Sequence, residues 1–349
     1  MDLKRVCIIG HFGFGHELMN GQTVKTKILT AEVERVLGAR QVQKIDTHGG
    51  VKALIKLPLQ TVGAMRRCKN IVILPANNGL RVLTPLLSLY KRLFKRKLHY
   101  VVIGGWLADF IRDRKSLTRQ LKQFDGIYVE TRTMQKNLEA MGFENIHVMP
   151  NCKNLQPLAE VELVYATGEP YRLCTFSRVM REKGIEDAVN AVKVVNEQCG
   201  RTVYTLDIYG QVDSGQTKWF DELKNNFPDY VKYGGLVPYD KSVDVLKNYF
   251  ALLFPTQFYT EGIPGTVIDA YAAGVPVISA KWESFDDVID DTHTGLGYEF
   301  RNNETLCEWL AYIANNPKLV EDLKTNCLQK AEEFMPQNAI GALLRLLEG

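Results

Sequence analysis

The sequence contains no apolar run approaching the roughly 18 residues that a membrane-crossing helix needs. Its seven cysteines stand apart, at 7, 68, 152, 174, 199, 307 and 327. None forms a C-x-x-C pair, and no Cys/His cluster has zinc spacing. An odd, scattered set fits reduced thiols in a cytoplasm. There is no short-period repeat and no low-complexity tract. The opening M-D-L-K-R-V-C-I-I-G-H-F-G-F-G has no small-residue cleavage site, so it reads as a first strand rather than a signal peptide.

What is present is ordinary in bulk. At 349 residues the length predicts about two domains. The 46% hydrophobic and 24% charged content is that of a soluble globular chain. The net charge of +3, however, hides a division. Residues 1–160 hold 26 Lys and Arg against 12 Asp and Glu, whereas the rest holds 17 against 28. A basic half points to an anionic partner such as a membrane surface, nucleic acid or a phosphorylated substrate. Chance scatter of charge explains a difference of that size poorly.

Short apolar runs recur at 6–9, 71–74, 100–103, 126–129 and 146–149. Helical patterns lie between them, one after Gly21 and others at 80–97, 107–124 and 134–141. Strand alternating with helix predicts a parallel, doubly wound sheet. The pattern stops at M-P-N-C, 149–152. An aperiodic stretch with Pro157, Gly168 and Pro170 follows and reads as a linker. Alternation resumes with strands at 173–176, 202–209, 231–233, 251–254 and 275–279. Helices are expected at 184–198, 218–227, 241–249, 265–273, 304–315, 318–334 and 337–347. The expected division is 1–155, a linker 156–170, 171–335 and a closing helix in 336–349. Two successive α/β units predict a cleft between them.

Three loops could carry chemistry. The first, Gly10-His11-Phe12-Gly13-Phe14-Gly15, lets backbone approach a phosphate. Its G-x-x-G-x-G spacing and its length before Asn20-Gly21-Gln22 depart from the dinucleotide pattern G-x-G-x-x-G. A flexible turn without ligand is the equal alternative. The second loop runs from Phe176 to Gly184. It holds Arg178 and Lys183 at a strand's carboxyl end, where two cations suit a diphosphate. Taken alone, a solvated basic turn explains it better. The third is E-G-I-P-G-T-V-I-D, from Glu261 to Asp269. A helix starting at Gly265 or Thr266 would offer free N–H groups to a phosphate. The two carboxylates could accept hydrogen bonds from paired hydroxyls. Their plainer role is to favour the helix N-terminus.

Together these residues resemble the donor site of the GT-B retaining glycosyltransferases of family 4. The match includes Arg178 with Lys183, and Glu261 followed after seven residues by Asp269. L-D-I-Y-G at 206–210, G-G-L-V at 234–237, A-A-G-V-P-V-I at 272–278 and D-D-T-H-T-G at 290–295 recur in order. The first half resembles the family more loosely, through N-G-Q-T-V-K-T at 20–26 and I-G-G-W-L at 103–107. The similarity is to enzymes that build bacterial capsule, exopolysaccharide or lipopolysaccharide.

The resemblance implies a GT-B fold: two Rossmann-like α/β domains with parallel sheets facing a cleft, and a closing helix able to cross back. It implies that Arg178 and Lys183 hold the donor diphosphate and stabilise its departure. Glu261 would bind hexose hydroxyls, with the Gly265–Thr266 backbone at the phosphates or sugar. Asp269 would bind the ribose diol, and Leu236 and Val237 would border the base. Gly13, Gly15 and Gly21 would close over the donor. Two departures stand out. Asp269 replaces the usual Glu, and the loop Gly104–Asp109 lacks the His that many relatives place near the reacting sugar. His11 and His16 read better as acceptor or structural contacts than as catalysts.

The implied reaction moves a hexose-type sugar, from UDP by default, with retention and without a protein nucleophile. No D-x-D element stands in a suitable loop, so no metal or other cofactor is expected. The expected partners are the nucleotide sugar and a glycan or lipid-diphosphate-linked acceptor, without nucleic acid. The segment 86–98, L-L-S-L-Y-K-R-L-F-K-R-K-L, could lie on an anionic membrane. Alone, it reads better as an ordinary sheet-packing helix. The expected place is the cytoplasm, or the periphery of the cytoplasmic membrane face. A sugar-nucleotide epimerase and a non-catalytic sugar-nucleotide binder remain as alternatives. A dinucleotide oxidoreductase fits the first loop poorly.

Overall fold

The computed structural model describes residues 3–16 and 21–348, with backbone only for 51–54. Asn20, which the N-G-Q motif includes, lies outside the described residues. The chain divides into two compact units: Met1–Asn154 with Phe334–Gly349, and Leu155–Glu333.

The first unit runs β1 (Lys4–Gly10), α1 (Gly21–Leu37), β2 (Val42–Asp46), α2 (Val51–Arg67), β3 (Cys68–Ile73) and α3 (Asn77–Phe94). It continues with β4 (Lys97–Val101), α4 (Leu107–Ile111), α5 (Lys115–Leu121), β5 (Gly126–Val129), α6 (Arg132–Glu139) and β6 (Ile146–Val148). The strands form one parallel sheet in the order β2-β1-β3-β4-β5-β6. Its central strands are covered on both faces, which explains their continuous apolar runs. Cys7, Ile9, Ile71 and Ile73 face a core with Leu83 and Leu87 of α3. Val6, Ile8 and Val72 face the other way, onto Leu29 and Val33 of α1.

The second unit runs β7 (Tyr171–Phe176), α7 (Ile185–Cys199), β8 (Tyr204–Tyr209), α8 (Thr217–Asn225), β9 (Val231–Gly235), α9 (Ser242–Leu246) and β10 (Ala251–Phe254). Then come α10 (Gly265–Ala272), β11 (Val277–Ala280), α11 (Phe285–Val288), β12 (Gly295–Tyr298), α12 (Asn303–Asn315), α13 (Lys318–Glu321) and α14 (Lys324–Ala331). Its parallel sheet has the order β12-β11-β10-β7-β8-β9. After it, α15 (Pro336–Ala339) and α16 (Gly341–Glu348) return to the first unit. There Ile340, Leu343 and Leu347 complete the core against α1 and β1.

Several elements differ from the sequence reading. Strand β2, V-Q-K-I-D, lies at a sheet edge and is buried only at Val42 and Ile45, so it lacks an apolar run. Helix α2 carries Pro58 and has no acid in its first turn. Strand β12 has two glycines in four residues. The helix expected at 107–124 is two helices, α4 and α5, joined by a turn closed by Arg114 N–H donating to the Ile111 carbonyl at 2.9 Å. Residues 155–170 pack with the second unit, where Leu158 N–H donates to the Ala272 carbonyl at 2.9 Å.

A polar network crosses the first sheet. His99 of β4 is fully buried, with Nε2 at 3.2 Å from Asn70 Oδ1 and Nδ1 at 3.1 Å from the Tyr128 hydroxyl. A neutral ring that donates at Nε2 and accepts at Nδ1 satisfies both neighbours. Asn70 passes the network on, donating to the Arg5 carbonyl at 2.9 Å and the Leu347 carbonyl at 3.4 Å. Burial disfavours the imidazolium and lowers the His99 pKa to about 4. The unfolded chain therefore binds a proton near its ordinary value while the folded chain resists. His99 stability is fully present above about pH 6.5 and is lost as pH falls toward 4, by about 3 kcal/mol. The variant His99→Gln should be less stable at pH 7 yet flatter between pH 6.5 and 4. Urea unfolding at both pH values checks this, and parallel profiles for variant and parent would refute it.

Candidate functional site

In the second sheet the strand order reverses between β7 and β10. Ligands of open α/β sheets bind outside the carboxyl ends of the strands at such a point. The loops following these two strands bring Lys183 and Glu261 together. Lys183 Nζ lies 2.7 Å from Glu261 Oε2, and their side chains are 15% and 18% exposed. The ammonium also sits over the rings of Phe258 at 5.1 Å and Phe254 at 5.5 Å. Such faces attract a cation. Thr256 adds a second donor, its hydroxyl 3.2 Å from the same Glu261 oxygen.

Backbone contacts set this geometry. Lys183 ends a 3-10 turn, Arg181–Lys183, and Gly184 follows at φ +68°. A Cβ on Gly184 would lie 1.8 Å from the Pro255 carbonyl oxygen. Only glycine lets the turn approach the end of β10 this closely. Gln257 N–H then donates to the Glu182 carbonyl at 2.9 Å, tying the two loops together.

Arg178 is held by the neighbouring strand end. Ser177 N–H donates to the Tyr209 carbonyl at 3.1 Å, and Val179 N–H to the Gln211 carbonyl at 2.9 Å. Gly210 makes the approach possible, because a Cβ there would lie 1.8 Å from the Ser177 carbonyl oxygen. The guanidinium itself is loosely held. It is 54% exposed and 3.7 Å from Asp213 Oδ2.

Helix α10 starts directly after the Glu261 loop, with Pro264 as its cap. The Val267 N–H donates to the Pro264 carbonyl at 3.0 Å. The helix itself offers no acceptor to the Gly265 and Thr266 amides. Thr266 is buried, and among the described residues its hydroxyl has no hydrogen-bond partner. Asp269 sits one turn further on, 2% exposed, and accepts from the Ser242 hydroxyl at 2.9 Å. Leu236 and Val237 follow β9, and Leu236 is 69% exposed.

The other named residues belong to the first unit. Gly13 and Gly15 adopt φ +62° and +80° after β1, and Gly21 opens α1. Asp46 shapes that loop, accepting from the amides of Phe12, Phe14 and His48, each at 2.9 Å. His11 Nδ1 lies 2.7 Å from Thr23 Oγ1, and its Nε2 lies 3.1 Å from His48 Nδ1. Burial, and next the facing His48, lower the His11 pKa. The His16 ring lies 4.9 Å from that of His48. Nearby in the sheet, Lys25 of α1 forms a buried ion pair with Glu130. Lys25 also donates to the Val102 carbonyl at 3.0 Å, and Glu130 accepts from Gly104 N–H at 3.2 Å.

Sequence reasoning missed Thr256, Ser242, Asp213 and His48, as well as the Lys25–Glu130 pair. Thr256 and Asp213 follow predicted strands, which was an available signal. Ser242 and His48 come from segments without motif. Lys25 could be noticed only as a cation on the buried side of a helix.

Two parallel sheets of this order, one per unit, make this a GT-B fold. HepE from Anabaena, solved in complex with UDP, superposes with a TM-score of 0.76 over 100% of both chains at 14% identity. Sucrose-phosphate synthase from Thermosynechococcus elongatus superposes with a TM-score of 0.76 over 98% of both chains at 15% identity. Residues 165–330 match the family of glycosyl transferases group 1, so the chain carries a domain of that family. Amylovoran biosynthesis glycosyltransferase AmsK from Erwinia amylovora is 24% identical over 192 residues, covering 52% of this chain and 46% of the relative. The N,N'-diacetylbacillosaminyl-diphospho-undecaprenol alpha-1,3-N-acetylgalactosaminyltransferase of Campylobacter jejuni is 20% identical over 257 residues, covering 71% of this chain and 59% of the relative. The chain thus spans about half the length of the curated relatives it matches.

The Gly184 contact yields a test. Gly184→Ala should destabilise the protein by more than the roughly 1–3 kcal/mol of left-handed backbone strain. Gly200 has φ +62° and open space around a Cβ, so Gly200→Ala carries the strain alone. Denaturant unfolding of both variants separates the two contributions. Equal losses would show that the Pro255 approach is not a constraint.

Proposed function

We propose that this protein is a retaining glycosyltransferase of the family-4 type, moving a hexose-type sugar from a nucleotide sugar, UDP by default. The acceptor is a glycan or lipid-diphosphate-linked oligosaccharide in bacterial surface polysaccharide synthesis. The observation that carries this reading is the Lys183–Glu261 pair at the switch point of a glycosyl transferases group 1 domain. The UDP complex of HepE supports the base. The polysaccharide and lipid-linked roles printed for the two curated relatives support the acceptor class.

Charge develops on the leaving diphosphate as the glycosidic bond breaks. Fixed cations and amides aimed there lower the barrier more than they favour the ground state. Lys183 supplies a cation that is already positioned by Glu261 and two aromatic faces. Arg178, loosely held by Asp213, swings onto the second phosphate. The Gly265 and Thr266 amides add the helix N-terminus. Glu261 accepts from hexose hydroxyls, and Asp269 shares its carboxylate between Ser242 and the ribose. Leu236 and Val237 offer apolar contact to the base. The leaving phosphate takes the acceptor's proton on the same face, so configuration is retained. In this reading the cations replace a metal, the protein works at the cytoplasmic membrane face, and its basic half meets an anionic surface.

Adding UDP should raise the melting temperature by mass action, and GDP should do so less. Arg178→Met is the cleaner catalytic variant, because its side chain is half exposed and its loss leaves no buried charge. Release of UDP from a UDP-sugar should fall about 10²–10³-fold, as expected for loss of one transition-state donor. EDTA should leave turnover unchanged. Loss of turnover restored by manganese would overturn metal independence. Release of free sugar isomer would indicate an epimerase, and sugar-nucleotide turnover no faster than background a binding protein.

A further inference from the structure

Between residues 47 and 108 the chain carries 11 Lys and Arg and no Asp or Glu. This stretch includes α2 and α3, which pack side by side on one face of the first sheet. Their inward stripes, with Leu57, Met65, Leu83 and Leu87, fill the core. A sheet-packing helix needs no apolar residues on its other side. Yet Ile55 and Leu59 of α2 are 72% and 81% exposed, and Leu89 and Leu93 of α3 are 56% and 70% exposed. The segment 86–98 is therefore apolar inward and outward.

Cations interleave with these outward residues. Lys56, Arg66 and Arg67 lie on the exposed side of α2, and Arg81 and Arg92 on that of α3. Among the described residues, none of these five forms an ion pair. The α3 cation that does pair, Lys91, takes Asp125 from beyond the stretch, at 2.6 Å. Cations without counter-charges, set among exposed Leu and Ile on adjacent helices, match an anionic bilayer surface. The apolar chains enter the acyl boundary while the cations meet phosphates. A second copy fits poorly, because two such faces would oppose cation to cation. Nucleic acid would use the cations but gain little from outward Leu and Ile.

We propose that the outer face of α2 and α3 docks the protein on an anionic phospholipid bilayer through Ile55, Leu59, Leu89, Leu93 and the cations between them. This deepens the glycosyltransferase reading by naming the surface on which a lipid-borne acceptor is met, and it rests on that reading for the acceptor alone.

The test is co-sedimentation of the full chain with vesicles. Phosphatidylcholine vesicles are compared with vesicles containing 30% phosphatidylglycerol, at about 0.1 M and 0.5 M salt. The protein should pellet with the anionic vesicles at low salt, and much less in either other condition. Each cation near an anionic surface is worth about fivefold in partition. Lys56→Ser with Arg92→Ser should therefore weaken binding about thirtyfold. Leu59→Ser with Leu93→Ser should also weaken it at unchanged net charge. The melting temperature and its rise with UDP, measured on both variants, report folding and the donor reading separately. Equal binding to both vesicle types would overturn the proposal, as would undiminished binding by both variants. A dimer in sedimentation velocity that the leucine variant dissolves would instead assign the face to self-association. Binding of duplex DNA that displaces the vesicles, and that the leucine variant retains, would assign it to nucleic acid.

Discussion

Lys183 reaches Glu261 because residue 184 has no side chain to hold its turn away from Pro255. The approach leaves no room for a Cβ, 1.8 Å from a carbonyl oxygen, so a larger residue must move the whole turn. That turn belongs to the loop after β7 and Glu261 to the loop after β10, the two strands between which the order reverses. A reversal parts the helices leading away from neighbouring strands and leaves a crevice. The crevice alone would be an empty notch. The glycine contact brings a cation and a carboxylate together there, at hydrogen-bond distance. Gly210 does the same for Arg178 one strand further along, against the Ser177 carbonyl. The charged groups are thus positioned by backbone approach, which is stiffer than any side-chain contact could make it.

The first unit uses a different device. Its strand order reverses between β1 and β3. Lys25 of α1, the helix after β1, and Glu130, directly after β5, are almost wholly buried, whereas Lys183 and Glu261 keep partial access to water. A buried pair costs desolvation that its mutual attraction only partly offsets, and removing one partner leaves a charge without compensation. Each partner of the buried pair also bonds backbone, Val102 on one side and Gly104 on the other. It therefore acts as a clamp between α1 and the loop after β4. The Lys183–Glu261 pair, with its partial access to water, has room to exchange partners.

Most of both sheets was legible because their central strands are covered on two faces, and burial of that kind writes a continuous apolar run. Strand β2, at an edge, and β12, half glycine, leave no such trace. Residues 107–124 read as one helix because the apolar period survives the turn that breaks it. At the site, Arg178, Lys183 and Glu261 stand out in the sequence as charged residues in loops after predicted strands, and Asp269 as an acid in the helix that follows. Their partners do not. Thr256 carries only its place after a predicted strand, Ser242 carries no signal, and only the fold brings Ser242 to Asp269 across 27 positions. The value of Gly184 is also hidden, since the sequence shows a glycine after a turn and not the carbonyl it must clear.

The division of charge along the chain acquires meaning only when pairing is considered. In the acidic second unit the site cations are held by carboxylates, Lys183 by Glu261 and Arg178 by Asp213. A paired cation projects little field, and at physiological salt what remains fades within about 8 Å. On α2 and α3, Lys56, Arg66, Arg67, Arg81 and Arg92 have no carboxylate within the surrounding 62 residues of sequence and, among the described residues, no ion pair. Their fields add instead of cancelling, so they can draw in an anionic surface before any contact is made. The presence or absence of a neighbouring carboxylate therefore decides how much field each cation projects. Net charge, at +3, averages over both and reveals neither.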